Sequence, residues 1–260
     1  MKSGSLEPGI AVDSASSLLS SSESEPDSDS DSLSAPDSQS VTDSTTSATA
    51  SQPDVTTPAV NPVLQCESVG MEYFSDCIFI GDSLSVGLSG YGFLPYENVY
   101  ASVGLNISKI DTEPVSTPYG DVTVMEGLKN SRPPIVYIML GSNGISWMSN
   151  ATMLEKYGSF VDQIRAELPD TKIYVIAIPP VSVDKETTTE YPVQNTDIDA
   201  YNSELLSFAN EKSLYFVDLN TTLKNNEGKL DPEKAQKDGM HFKLDTYQIM
   251  LDYLMTHVAQ

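Results

Sequence analysis

Cys77-Ile78-Phe79-Ile80-Gly81-Asp82-Ser83-Leu84 is the stretch on which the fold turns. An apolar run of this length, closed by a glycine and an Asp-Ser pair, predicts a strand buried on both faces that ends in a tight turn and enters a helix. The same grammar repeats along the chain. Asn98 to Ser102 reads as a second strand, and Ile135-Val136-Tyr137-Ile138-Met139-Leu140 as a third, continuous and rich in β-branched residues. Lys172-Ile173-Tyr174-Val175-Ile176-Ala177-Ile178 is a fourth, stopped by Pro179-Pro180, and Leu214-Tyr215-Phe216-Val217 a fifth. Helix-length segments lie between them: Leu84 to Tyr91, Val122 to Asn130, Ala151 to Leu168, Asp197 to Glu211, and Leu244 to Val258 at the end. In the third of these Met153, Leu154, Tyr157, Phe160, Val161 and Ile164 recur near the helical period. Strands alternating with helices predict an α/β fold, a parallel sheet covered on both faces, whose sites form at the carboxyl ends of the strands.

Composition divides the chain near residue 65. Residues 1–65 are dominated by Ser, Asp, Thr, Pro and Ala and cannot bury enough surface to offset chain entropy, so they are expected to be disordered. Residues 66–260 hold all 13 tyrosines, the single Trp and nearly all the Ile, enough for one domain with a sizeable core. Within the first part, the alternation Glu25-Pro26-Asp27-Ser28-Asp29-Ser30-Asp31-Ser32 reads foremost as a solvated spacer, with weak calcium binding or modification as the other reading.

The formal net charge is −23. Nucleic acid is not expected as a partner, because a polyanion meets repulsion over most of this surface and no basic cluster reverses the sign locally. Anionic membrane surfaces are disfavoured for the same reason, and no apolar stretch approaches the ~20 residues of a membrane-spanning helix. No hydrophobic signal region follows Met1-Lys2-Ser3-Gly4. Long Ser/Asp/Thr/Pro tethers are nonetheless commonest on exported proteins, so a secreted or cell-surface address is expected, with an upstream signal trimmed and the tail serving as a tether to the cell envelope. Cys66 and Cys77, the only cysteines, allow a bridge in an oxidising compartment; a buried free thiol at Cys77 is the plainer reading. Two histidines and two cysteines, far apart, make no metal cluster of the usual spacing, and neither metal nor cofactor is expected. The sequons at Asn106, Asn150 and Asn220 are short motifs, frequent by chance.

Serine attacks an ester only when a base removes its proton and donors receive the oxyanion. Ser83 sits past the first strand and before a helix, with Gly81 allowing the turn, where its hydroxyl is exposed at the sheet edge and free backbone N–H groups lie behind it. Asp82-Ser83 can equally be read as a helix cap. His241 lies in the loop Lys237-Asp238-Gly239-Met240-His241, where Asp238 can fold back on the ring and fix its orientation. His257, expected on the last turn of the final helix, reads as a solvent-facing residue or a cation on the helix dipole.

These residues carry a family likeness. Gly81-Asp82-Ser83-Leu84 and Asp238-Gly239-Met240-His241 resemble the first and last blocks of the GDSL, or SGNH, hydrolases. Gly104, in Ala101-Ser102-Val103-Gly104-Leu105-Asn106, and Asn143, in Gly141-Ser142-Asn143-Gly144, fall where that family has its two middle blocks. The resemblance covers residues 77–260. It implies a three-layer α/β/α sandwich with a five-stranded, flavodoxin-like parallel sheet. It also implies Ser83 as nucleophile, His241 as base and Asp238 as its orienter, and an oxyanion hole built from the Ser83 and Gly104 N–H groups and the Asn143 amide. One position departs: Gly144 stands where the family has an acid that supports the asparagine loop, which puts the rigidity of Asn143 in question. For Trp147 and Met148 two readings stand, a wall around the substrate or packing beneath that loop. The expected substrate is a small acyl ester, an O-acetyl or other short acyl group on a carbohydrate. The alternatives are a lysophospholipase or thioesterase and, from another class, a surface binding module whose site has decayed.

Overall fold

The computed structural model describes residues 59–259. The Ser/Asp run at residues 25–32 and the rest of the expected tail before residue 59 lie outside the described residues. Five strands, β1 (Cys77–Gly81), β2 (Val99–Ala101), β5 (Ile135–Met139), β6 (Lys172–Ile176) and β7 (Tyr215–Val217), form one sheet in the order β2-β1-β5-β6-β7, parallel throughout. That is the doubly wound order in which the chain reverses direction across the sheet between β1 and β5. The helices are α1 (Ser83–Gly90), α2 (Val124–Ser131), α3 (Asn150–Glu167), α4 (Val183–Thr187), α5 (Asn195–Glu211), α6 (Leu219–Leu223) and α7 (Leu244–Met255).

The strands alternate their side chains between two cores. Ile78, Ile80, Val136, Ile138 and Val175 face the layer holding Leu128 of α2, Tyr157, Phe160 and Ile164 of α3, and Tyr201 and Leu205 of α5. Phe79, Tyr137 and Tyr174 face Leu84 and Leu88 of α1, Leu219 and Leu223 of α6, and Met250, Leu251 and Leu254 of α7. Because Phe79, Tyr137, Tyr174 and Tyr215 occupy one row of the parallel register, their rings stack across four strands at centroid spacings of 4.9, 4.6 and 4.9 Å. This row ties β1 to the far edge of the sheet through aromatic contact as well as backbone bonds.

Three expectations shift. The segment expected to form a helix from Val122 begins instead with the end of a hairpin, β3 (Pro114–Thr117) against β4 (Gly120–Thr123), and α2 starts two residues later, at Val124. Thr123 is both the end of β4 and the cap of α2, in a reciprocal capping box with Glu126. The boundary near residue 65 also moves: Asn61 bonds the backbone of Leu214 and Phe216, and the Val63 N–H donates to the Phe216 carbonyl at 2.8 Å. These contacts cover the open edge of β7, so Asn61 and Val63, ahead of Cys66, pack as part of the folded unit. Finally, α7 stops at Met255, and His257 lies beyond it with its ring stacked on Tyr253 at 3.7 Å and Nδ1 bonded to the Tyr253 carbonyl at 2.8 Å.

Candidate active site

The carboxyl end of β1 is built for close approach. A Cβ on Gly81 would lie 2.0 Å from Ser85 Oγ and 2.8 Å from the Met139 carbonyl oxygen, so only glycine lets α1 start directly against β5. Asp82 caps that helix, accepting the Leu84 N–H at 3.0 Å. The cap and nucleophile readings of Asp82-Ser83 are therefore compatible, one residue each. Ser83 is the first residue of α1, where backbone N–H groups have no partner in the helix. The helix is fixed from behind by α7: the Tyr247 hydroxyl donates to the Leu84 carbonyl at 2.9 Å, and Gly87 leaves the room that this phenol occupies.

The partner loop comes from the other end of the chain. It closes as a hairpin by the Ala235–Phe242 bridge and the bond from the Gln236 N–H to the His241 carbonyl, 2.7 Å. Gly239 turns it at φ 74°, with its N–H on the Gln236 carbonyl at 2.9 Å and its own carbonyl accepting from the Ser182 N–H at 2.8 Å. Asp238 Oδ1 accepts both the Met240 and the His241 N–H at 2.9 Å, and Oδ2 pairs with His241 Nδ1 at 2.5 Å. On its other side His241 Nε2 lies 2.7 Å from Ser83 Oγ. Burial works against the Asp238 charge, but the two backbone N–H groups and the His241 ring outweigh it and hold this carboxyl below its ordinary value. With Asp238 ionised, the network assigns the ring proton to Nδ1 and leaves Nε2 to accept from the serine.

The loops that carry Gly104 and Asn143, after β2 and β5, meet at Leu105. Gly104 adopts φ 83° on an exposed turn, and the Asn143 amide Nδ2 donates to the neighbouring Leu105 carbonyl at 3.1 Å. The Asn143 carbonyl in turn accepts the Trp147 indole N–H at 2.6 Å. Around it the Gly144 and Ile145 N–H groups both reach the Gly141 carbonyl, and those of Trp147 and Met148 reach the Gly144 carbonyl, which winds the loop into two consecutive turns. The rigidity that an acid would lend this loop thus has another source, because Asn143 is held at its amide by Leu105 and at its carbonyl by Trp147. A Cβ at Gly144 would lie 2.7 Å from Met153 Sδ, in space the core already uses. Met148 packs on the core under the loop, and Trp147 lies 61% exposed above it.

Several supporting residues escaped sequence reasoning. Asn202 bonds both the N–H and the carbonyl of Ile178, at 2.8 and 2.9 Å, and Asn195 does the same for Val181, at 3.0 and 2.9 Å. These buried amides hold the Pro179-Pro180 strap that delivers Ser182 to the Gly239 carbonyl. Asn220, in one of the three sequons, is 4% exposed and donates to the Ile178 carbonyl at 2.9 Å. Cys66 and Cys77 are both free thiols; burial first, then the Asp76 charge, pushes the Cys77 thiol up to about 12. Among the described residues no three His, Cys, Asp or Glu side chains gather as metal ligands, and no helix is long and apolar enough to cross a membrane.

The sequence from residue 79 to 249 matches the model of the GDSL-like lipase/acylhydrolase family. The chain belongs to that family. Its fold is the SGNH hydrolase fold, shared with many solved structures. A Streptococcus pneumonia protein named for platelet activating factor superposes with a TM-score of 0.56 at 19% identity, over 69% of this chain and 81% of that one. A GDSL-like lipase of Bacteroides thetaiotaomicron gives 0.53 at 16%, over 70% and 87%. An acetylxylan esterase of Geobacillus stearothermophilus gives 0.50 at 15%, over 71% and 94%. At such identities the likeness is one of fold. No curated protein matches the sequence closely enough to count as a relative.

Proposed function

We propose that this GDSL hydrolase cleaves carboxylic esters through an acyl-serine intermediate on Ser83. The observation that carries the reading is the continuous relay Ser83 Oγ, His241 Nε2, His241 Nδ1, Asp238 Oδ2, with contacts of 2.7 and 2.5 Å between residues 158 and 3 positions apart. Ser83 Oγ bonds to the acyl carbon as its proton passes to Nε2; the carbonyl electron pair moves onto oxygen and is received by the Ser83 and Gly104 N–H groups and the Asn143 amide. His241 then hands the proton to the departing alcohol, and water repeats the sequence to release the acid.

The acyl group is short in this reading, acetyl foremost, and the alcohol is a carbohydrate. The small cavity that Leu84 and Met240, the chain neighbours of Ser83 and His241, close with Ser142, Ile178 and Val181 holds only about 10 Å³, the room of one water, and so adds no acyl-chain space to the site from that side. The exposed Trp147 ring offers a flat apolar face next to the asparagine loop. An extracellular or cell-surface address, with the Ser/Asp/Thr/Pro-rich segment as tether, completes the proposal. A fluorophosphonate probe is expected to label the protein at Ser83 and to leave Ser83→Ala unlabelled, and acetate is expected to be released from acetylated xylan faster than long acyl chains from their 4-nitrophenyl esters or from lysophospholipid. Absence of labelling in folded protein would overturn the mechanism; preference for long chains would overturn the substrate.

A further inference from the structure

Asp82 is more than its capping role requires. One neutral acceptor is enough to cap α1, as serine or asparagine supplies elsewhere. Asp82 brings a carboxylate that is 1% exposed, with Oδ1 on the Leu84 N–H and with Oδ2 buried and unpartnered among the described residues. Burial pushes its carboxyl up to about 6, against the Leu84 N–H and the nearby His241, which favour the charge; the neighbouring Ser142 hydroxyl eases the penalty only in part. The groups that face it are His241 from the hairpin loop and Tyr247 from α7, whose hydroxyl is itself kept neutral by burial first and by the nearness of Tyr91 and Asp82. Among the described residues, then, the group facing Asp82 that can become a cation is His241.

We propose that Asp82 is a positioning residue whose negative charge, buried beside the nucleophile, favours transfer of the Ser83 proton to His241. This rests on the acyl-serine reading above. When Oγ attacks, Nε2 takes the serine proton and the ring becomes an imidazolium, paired with Asp238 at Nδ1 and within electrostatic reach of the buried carboxylate of Asp82. A charge that is unfavourable in the resting enzyme meets its opposite only as the transition state forms, so its interaction accelerates the reaction instead of tightening substrate binding. When the leaving alcohol takes the proton, the ring and Asp82 return to their starting states.

Asp82→Asn keeps an oxygen for the Leu84 N–H and removes the charge, and Asp82→Ser does the same with a shorter cap. Each is measured in the full chain with 4-nitrophenyl acetate from pH 5 to 8, alongside thermal unfolding. The ratio of wild-type to variant kcat is expected to rise from near one at pH 5 to of the order of tenfold above pH 7, with KM unchanged. The sign for stability is opposite. A carboxyl whose folded value is raised contributes stability that is present below its unfolded value, about 4, and lost as pH rises through about 6. Asp82→Asn should therefore melt with the wild type at pH 4 and above it at pH 7.5. A kcat ratio independent of pH, or a variant as active as wild type at pH 7.5, would overturn the proposal and leave Asp82 as a cap alone. Wild-type protein inactive on the ester would instead refute the reading of the site on which it rests.

Discussion

Replacing Gly81 by alanine tests whether Ser83, the proposed nucleophile, is placed by the contact between β1, α1 and β5. The added Cβ would fall 2.0 Å from Ser85 Oγ, 2.8 Å from Ser85 Cβ and 2.8 Å from the Met139 carbonyl oxygen. Real carbon contacts at these sites need about 3.4 Å or more. Rotating the serine hydroxyl removes the first clash; the other two involve the helix Cβ and the β5 backbone, so α1 must retreat by several tenths of an ångström. Overpacking of this kind costs about 1–3 kcal/mol, which for a folded unit of this size lowers Tm by roughly 2–4 °C per kcal/mol, or about 2–12 °C in all. Activity should suffer beyond stability. Ser83 starts the helix that is displaced, and its 2.7 Å contact with His241 belongs to a loop anchored elsewhere, so a misplacement approaching 1 Å lowers kcat by up to ~100-fold. The assay is hydrolysis of 4-nitrophenyl acetate with calorimetric Tm. Adding Ser85→Gly relieves both serine contacts but not the one with Met139, and is expected to restore stability in part. Unchanged Tm and kcat in Gly81→Ala would show that β1, α1 and β5 do not fix the serine in the way described.

Further outcomes follow from the same contacts. Asp238→Asn should lower kcat by roughly 10³–10⁴-fold with KM nearly constant, because the amide can present its N–H to Nδ1 and stabilise the wrong tautomer; steady-state kinetics on a short ester would show it. Gly144→Asp, which restores the acid usual in the family, is expected to lower stability by about 1–3 kcal/mol and reduce kcat/KM, since the new Cβ meets Met153 Sδ at 2.7 Å; higher activity at unchanged Tm would contradict this account of the loop. Asn202→Ala leaves the buried N–H and carbonyl of Ile178 without that amide and should destabilise by about 2–4 kcal/mol, seen in urea unfolding, with a loss of activity transmitted through the 178–182 strap. At acid pH the lowered carboxyl of Asp238 withdraws its stabilisation only as pH falls through its folded value, below about 4, so wild type and Asp238→Asn should differ most in Tm at neutral pH and converge in strong acid.

The strands of the main sheet were legible because each is a continuous apolar run buried on both faces, a pattern that needs no knowledge of its neighbours. The β3–β4 hairpin was not, since Pro114, Ser116, Gly120 and Asp121 interrupt any apolar alternation and only Val115 and Thr117 turn inward. Thr123-x-x-Glu126, a capping box written in the sequence, did mark where α2 begins, and reading it would have released Val122 to the hairpin. The covered edge of β7 was hidden for another reason. Asn61 and Val63 lie in a segment whose composition suits a disordered tail, and their partners are the backbone of residues some 150 positions away.

In the site, the legible residues are those whose side-chain chemistry is itself the signal: a serine after a strand, an acid three positions before a histidine. The residues that hold them were silent because they act on backbone atoms that only the tertiary fold brings near. Ser182 reaches the Gly239 carbonyl through its N–H, the Trp147 indole reaches the Asn143 carbonyl, and Asn202 and Asn195 grip the strap at Ile178 and Val181. This difference explains why Gly144 misleads when read alone. An acid at that position is one way to stiffen the asparagine loop; here an indole above the loop and a carbonyl across from it hold Asn143, and Met153 fills the space beneath. The asparagine is then fixed by contacts at positions where the family pattern has no letter to match, so loss of the acid is no sign of a decayed site.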